Sequence, residues 1–350
     1  MLCIRQVKHL AAALQTSESR LREVADNPEE FCEELMLLDP AKPAKPRPVL
    51  DVRGELRQFQ NRLLRGVLLP KLTPSDFSHG SIRGRHVKTN VMPHIDSVFV
   101  LTADISNFYP TISHNRVYRL FAGKFQCSPD VAHICTRLCT HDYHLALGLV
   151  TSPAIADQVL LDIDRRLGAA CVNAGLTYTR YVDDLSISGP FDLENSGFGS
   201  LVHRIMAEHG LAMNPSKNRF GRLARGEQIT KIVIRRGHPD VRREYLAELE
   251  RQLDDAINLG NGRQFDGPYY LRNQIAGRVQ FACWINPGRR QKLVAKFRTV
   301  PWRQAAIEAA NRGLVVAKKR LIKLQAEPKV TESIGTIHCA APLPPNGGNL

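Results

Sequence analysis

The chain has 350 residues, 43% of them hydrophobic, and carries a formal net charge of +14. This is enough chain to bury a sizeable core in one large or two smaller domains, and the positive excess favours a polyanionic partner. No apolar run reaches the ~18 residues of a membrane span, and the N-terminus lacks the apolar core and cleavage site of a signal peptide. The eight cysteines form no CxxC pair, so free thiols in a reducing cytoplasm are expected rather than a disulfide framework.

In chain order, residues 1–40 read as helical, with apolar residues at helical spacing from Val7 to Leu14 and a new cap before Leu21. The prolines around residues 43–48 prevent a helix. A short strand over 48–52 and an amphipathic helix from about Glu55 to Leu69 follow. Lys45, Arg47 and Arg53 lie on or beside that strand, and guanidinium groups suit bidentate phosphate contacts. Residues 77–94 form a Gly-, Ser- and base-rich loop. An apolar strand from Val98 then delivers Asp104 at its end, and Ser113-His114 starts a helix through Phe121.

His133, Cys135, Cys139, His141 and His144 cluster in sequence, but they fall on a helix running into a loop with no second ligand pair at finger-like spacing, so zinc is not expected. Gly148 permits close backbone approach, and Ser152-Pro153 caps a helix from Ala154 to about Ala170. A helix over 201–209 and a hairpin over 222–234 come next. From Arg242 to Lys323 the chain reads helical and basic: residues 217–323 hold 24 Lys and Arg against nine Asp and Glu. Residues 326–350, rich in Pro, Gly and Asn, read as a disordered tail.

The chemistry gathers at two strands. Residues 176–188 are β-branched, aromatic and apolar around Asp183-Asp184, which predicts a hairpin with both carboxylates at its tip. Paired carboxylates are costly unless a cation neutralises them. With Asp104 on a second strand, the three acids are what a two-metal phosphoryl-transfer site requires, with metals roughly 4 Å apart. Hard oxygen ligands suit Mg²⁺.

Asp104-Ile105-Ser106-Asn107-Phe108-Tyr109 and Tyr181-Val182-Asp183-Asp184 resemble the two catalytic motifs of reverse transcriptases. The resemblance extends over about residues 45–300 in the expected motif order, and it is nearest to the bacterial retron-type enzymes. It implies an α+β right-hand polymerase: an N-terminal helical extension (1–40), fingers (41–97), a palm of antiparallel sheet and helices (98–235, with finger elements about 115–150), a helical thumb (236–325) and the tail.

Two ions, Mg²⁺ or Mn²⁺, would be held by Asp104, Asp183, Asp184 and the carbonyl of Ile105. Lys217, in Gly210-Leu211…Asn214…Lys217, resembles the lysine that protonates departing pyrophosphate. The nucleotide would meet Lys45, Arg47, Tyr109 as the steric gate against a 2′-hydroxyl, Gly148 and Ser152. The nucleic acid would meet Asn90, His94, Arg235, Arg236 and Arg278. Three departures stand out: Ala146 and Leu147 before Gly148, where the family has proline and a polar residue, and Ile229-Thr230-Lys231, where retron enzymes have Val-Thr-Gly. The implied activity is RNA-directed DNA synthesis from a structured non-coding RNA, with dNTPs as substrates and cDNA as product. The implied setting is the cytoplasm, in anti-phage defence with an effector protein and no membrane. The alternatives are a defence enzyme outside the retrons, with another primer or untemplated synthesis, and an inactive RNA-binding scaffold.

Overall fold

In the computed structural model residues 2–39 and 46–323 are described. Helices α1 (Val7–Ala13) and α2 (Glu18–Asp26) open the chain, the second capped by the Ser17 hydroxyl, which accepts from the Arg20 N–H. The helical expectation for 1–40 then fails. Pro28 begins a single 3₁₀ turn, and Cys32–Leu38 is strand β1, paired antiparallel with β2 (Arg47–Val52). Sheet pairing decides this segment; its own sequence, with Glu33-Glu34 interrupting the apolar residues, carries no clean period of two. Helix α3 (Gly54–Arg62) runs on through a π-helical stretch to Leu68, matching the predicted helix closely.

The 77–94 loop contains a short helix, α4 (Val87–Val91). Strand β3 (Phe99–Asp104), helices α5 (His114–Arg119), α6 (Pro129–Cys139) and α7 (Ser152–Asn173), strands β4 (Thr177–Tyr181) and β5 (Asp184–Gly189), helix α8 (Phe198–Glu208) and strand β6 (Arg219–Arg222) follow. Strands β3 to β6 form one antiparallel sheet in the order β4-β5-β3-β6. Strands β7 (Gln228–Ile229), β8 (Ile232–Arg235) and β9 (His238–Val241) form a second.

Four helices complete the C-terminal part: α9 (Arg243–Gly260), α10 (Arg272–Ile285), α11 (Arg290–Thr299) and α12 (Trp302–Asn311). The all-helical reading of 236–325 needs correcting at both ends. Strand β9 precedes the helices, and β10 (Arg320–Lys323) follows them and joins the free edge of β1. The third sheet is therefore β10-β1-β2, drawn from both halves of the sequence. The predicted tail lies outside the described residues, among which no helix is long and apolar enough to cross a membrane.

Two large apolar cores and a small one around Leu259 and Ala305 are present among the described residues, and β3 serves both large ones. Alternate strand residues face opposite sides. Leu101 and Ala103 pack with Leu10, Phe59, Phe121 and Leu160 in the larger core, while Val100 packs with Ile232, Leu253 and Val279 in the smaller. Cys135 and Cys139 are core residues of the larger one. Asp104, the last residue of β3, thus leaves a strand fixed from both faces.

Candidate active site

The pairing of β3 with β5 sets Asp104 opposite Asp184. A two-residue turn, Val182-Asp183, joins β4 to β5, so Asp183 sits in the turn and Asp184 is the first residue of β5. The hairpin was expected, but its tip is one residue earlier than the Asp-Asp pair. Val182 has φ +61°, a left-handed conformation that a β-branched residue rarely adopts. Carboxylate oxygens of Asp104, Asp183 and Asp184 lie within 4.8 Å of one another, and among the described residues no other group of His, Cys, Asp or Glu has metal-ligand spacing.

Partial burial and its carboxylate neighbours oppose ionisation here. Burial, then Asp104, pushes Asp183 upward; burial, then Asp183 and Asp104, pushes Asp184 up to about 7. The Lys217 ammonium donates to Asp104 Oδ1 at 2.5 Å. Its segment is tied to the end of β3, because the Asn214 N–H donates to the Asp104 carbonyl and the Ser106 N–H to the Ala212 carbonyl, both at 2.8 Å. A cluster of mutually repelling oxygens with one ammonium in direct hydrogen-bond contact fits a site for divalent metal.

What fixes the turn is a buried ion network that the sequence reading missed. Arg180, only 1% exposed, donates through Nη1 to the Val182 carbonyl at 2.9 Å. Its other nitrogens reach Asp157 at 2.9 Å and Asp164 at 2.7 Å, and the Tyr178 hydroxyl also donates to Asp164. Burial alone would lower the Arg180 pKa; Asp164, Tyr178 and Asp157 together outweigh it and hold the guanidinium charged. The signal was present. Tyr178 and Arg180 alternate onto one face of β4, and Asp157 and Asp164 lie seven residues apart, two turns along α7. Gly80 lets the preceding loop press against the turn, since a Cβ there would stand 2.5 Å from the Val182 side chain.

A cavity of about 940 Å³ opens over the carboxylates, lined by Arg47, Ile105, Tyr109 and Lys217 among others. Burial and Asp183 push the Tyr109 phenol up to about 12, so it presents a neutral ring. Lys45 lies outside the described residues.

Gly148 and Ser152 are off the cavity wall and act behind it. Gly148 has φ +120°, and a Cβ on it would fall 1.9 Å from the Leu50 carbonyl oxygen, so only glycine lets this loop dock on β2. The Ser152 hydroxyl donates to the Ala146 carbonyl at 2.8 Å. Ala146 and Leu147 are the residues this loop shows to the cavity.

Asn90 and His94, predicted to meet nucleic acid, are fully buried. His94 bridges the hydroxyls of Thr179 on β4 and Ser188 on β5, at 2.7 and 2.6 Å, and burial pushes its imidazole down to about 3. Asn90 donates to the Thr230 hydroxyl at 2.8 Å. Both brace the sheets, which explains their placement without any contact to a ligand. Arg235, Arg236 and Arg278 line no part of the cavity. Arg236 is exposed in the β8–β9 turn, Arg235 lies 4.0 Å from Asp240, and Arg278 stacks on the Tyr270 ring at 4.7 Å.

Residues 40–246 match the family model of reverse transcriptase (RNA-dependent DNA polymerase), and the chain belongs to that family. Among its relatives, the retron Mx65 reverse transcriptase of Myxococcus xanthus is 30% identical over 199 residues, covering 52% of this chain and 46% of the relative. The retron Ec86 reverse transcriptase of Escherichia coli is 27% identical over 207 residues, covering 59% and 64%. The retron Se72 reverse transcriptase of Salmonella heidelberg is 27% identical over 213 residues, covering 59% and 56%. The chain thus spans between about half and two thirds of the length of these curated relatives.

Proposed function

We propose that this protein is a retron-type RNA-directed DNA polymerase that copies a structured non-coding RNA into cDNA. The observation carrying this reading is the carboxylate triad with Lys217 on one wall of a cavity large enough for a nucleotide and a strand end. In this reading β3–β6 form the palm, β7–β9 and the C-terminal helices the thumb side, and β1–β2 with α3 the fingers, to which β10 is added.

Asp104, Asp183, Asp184 and the Ile105 carbonyl would hold two Mg²⁺ ions, with Mn²⁺ as a substitute. Bound there, the metals supply the charge that activates a primer hydroxyl and braces the α-phosphate. Arg47 takes the triphosphate. The Tyr109 ring excludes a 2′-hydroxyl. Lys217, released from Asp104, donates its proton to departing pyrophosphate. For the polyanion, a groove between α10 and α11 offers Lys88, Arg272, Arg290 and Arg298 with the Trp284 ring and no carboxylate. The resemblance to retron enzymes supports placing it in the cytoplasm, with an effector partner and a role in anti-phage defence.

Leu147 and Lys231 favour a second reading, a defence enzyme outside the retrons with a different primer. Sequencing the nucleic acid that co-purifies with the wild type and with the Asp183→Asn/Asp184→Asn variant separates the readings. A discrete cDNA joined to one RNA, present only in the wild type, is expected, together with a loss of at least ~10³-fold in dNTP incorporation by the variant. Heterogeneous or untemplated DNA selects the second reading. RNA bound equally by both proteins, with no DNA in either, leaves an inactive scaffold.

A further inference from the structure

Beyond α12 the chain returns from the C-terminal helices to the first sheet. Ala317 spends both its backbone groups on the helical side. Its N–H donates to the Tyr269 carbonyl at 2.7 Å, and its carbonyl accepts from Gln274 Nε2, on α10, at 3.0 Å. Three residues later Arg320 stands opposite Leu38, and β10 runs on to Lys323 opposite Leu35. Three residues reach at most about 10 Å, so this segment ties α10 to β1 across a short gap.

The two tied elements line different parts of the cavity. Glu34 of β1, with Arg47 and Leu50 of β2, forms one part; Tyr245 of α9 and Phe281 of α10 form another; Asp104 and Asp184 come from β3 and β5. The Tyr245 hydroxyl donates to the Arg278 carbonyl at 3.1 Å, which joins α9 to α10. Fingers, palm, thumb and the returning segment therefore make a closed circuit. The segment suits a place over a polyanion, because Lys318 and Arg320 are exposed and enter none of the ion pairs among the described residues. Its hold on β1 is a short edge ladder with the surface pairs Lys319–Asp39 and Lys323–Glu33. Such a ladder opens without unfolding the cores.

We infer that residues 317–323 are a strap that closes the cleft into a ring, so that a primer–template hybrid lying in it is held topologically. The inference rests on the polymerase reading for the nature of what is held. The strap unzips from β1 to admit the hybrid and pairs again behind it. The hybrid then leaves by sliding off an end or by a second opening of β10.

Met36 and Ile322 are partners in register and neither lines the cavity, so Met36→Cys/Ile322→Cys sets two thiols across the ladder. The test loads this variant on a fluorescent DNA primer annealed to circular or linear RNA, oxidises it, and washes at about 1 M salt, where phosphate contacts are screened. The oxidised variant is expected to stay on the circle, to leave the linear RNA, and to come off the circle on reduction with dithiothreitol. The unsubstituted protein, treated alike, should wash off both. Leu321→Pro/Ile322→Pro removes a ladder bond whichever of the two residues points its N–H at β1. It should shorten the residence of the hybrid several-fold and reduce the run length under a competitor trap, with single-nucleotide incorporation as in the wild type. Equal loss of the oxidised variant from circular and linear RNA overturns the inference. So does failure of the two introduced thiols to join, or wild-type residence in the proline variant. Retention on the circle alone, by a protein that incorporates no dNTP, would sink the polymerase reading while the ring stands.

Discussion

The β4–β5 hairpin and the β1–β10 pair are both short antiparallel ladders, yet they are held in opposite ways. Beneath β4–β5 lie Arg180, Asp157, Asp164 and His94, all nine-tenths or more buried and hydrogen-bonded to the hairpin or to each other. All four residues of β10 are exposed. Its side-chain ties are surface ion pairs, Lys323 to Glu33, with Lys319 to Asp39 just before the strand. Surface pairs contribute little, whereas a buried network fixes position because losing any member leaves an unpaired charge. The turn that carries Asp183 therefore stands on a buried polar cluster, whereas the outer sheet is finished by a strand whose residues are all exposed.

Removing the arginine should break the contrast most sharply. Arg180→Leu strands Asp157 and Asp164 and frees the Val182 carbonyl, so a loss of about 3–5 kcal/mol in urea unfolding is expected. Nucleotide incorporation should fall by ~10²-fold or more as the Asp183 turn shifts. A variant that unfolds like wild type would mean that the turn holds itself.

Acid should attack the same hairpin through His94. Its folded pKa of about 3 lies below the ordinary value of 6.5, so protons favour the unfolded chain. Stability is complete above pH 6.5 and declines as pH falls toward 3, by about 2 kcal/mol at pH 5 from this group. Urea midpoints at pH 7 and 5, compared with those of His94→Asn, measure it; equal pH dependence in both proteins would assign the loss elsewhere. The smallest effect belongs to the outer strand. Ile322→Pro should cost about 1 kcal/mol or less and leave nucleotide incorporation near wild type, read by thermal melting and primer extension. A loss as large as that of Arg180→Leu would erase the contrast.

The same contrast separates what could be read from the sequence. The hairpin around Asp183 was legible because β-branched and aromatic residues flank an acidic pair, and Asp104 because an apolar strand ends on it. Lys217 was placed by resemblance, and the structure seats it on Asp104. The turn position escaped because Val182 adopts a conformation that its residue type argues against. Asn90 and His94 were assigned to nucleic acid by resemblance, and only the tertiary structure reveals that both lie inside. Strands β1 and β10 had no signal strong enough to find: one has glutamates among its apolar residues, the other is four residues long, and their pairing spans most of the chain. Gly148 was read correctly as a site of close approach, but what approaches it is the backbone of β2.

The distance between β1 and β10 matters for a chain that emerges N-terminus first. At about 5–20 residues per second, roughly 15–60 s separate the synthesis of β1 from that of its outer partner. For that time β1 and β2 present an open edge, ready to pair with any passing strand. Glu33 and Glu34 lie on β1, and charge is what natural sheets use to guard such an edge. Glu33 would then serve twice: first as a repellent on the nascent strand, and later as the anchor for Lys323 when the last strand arrives.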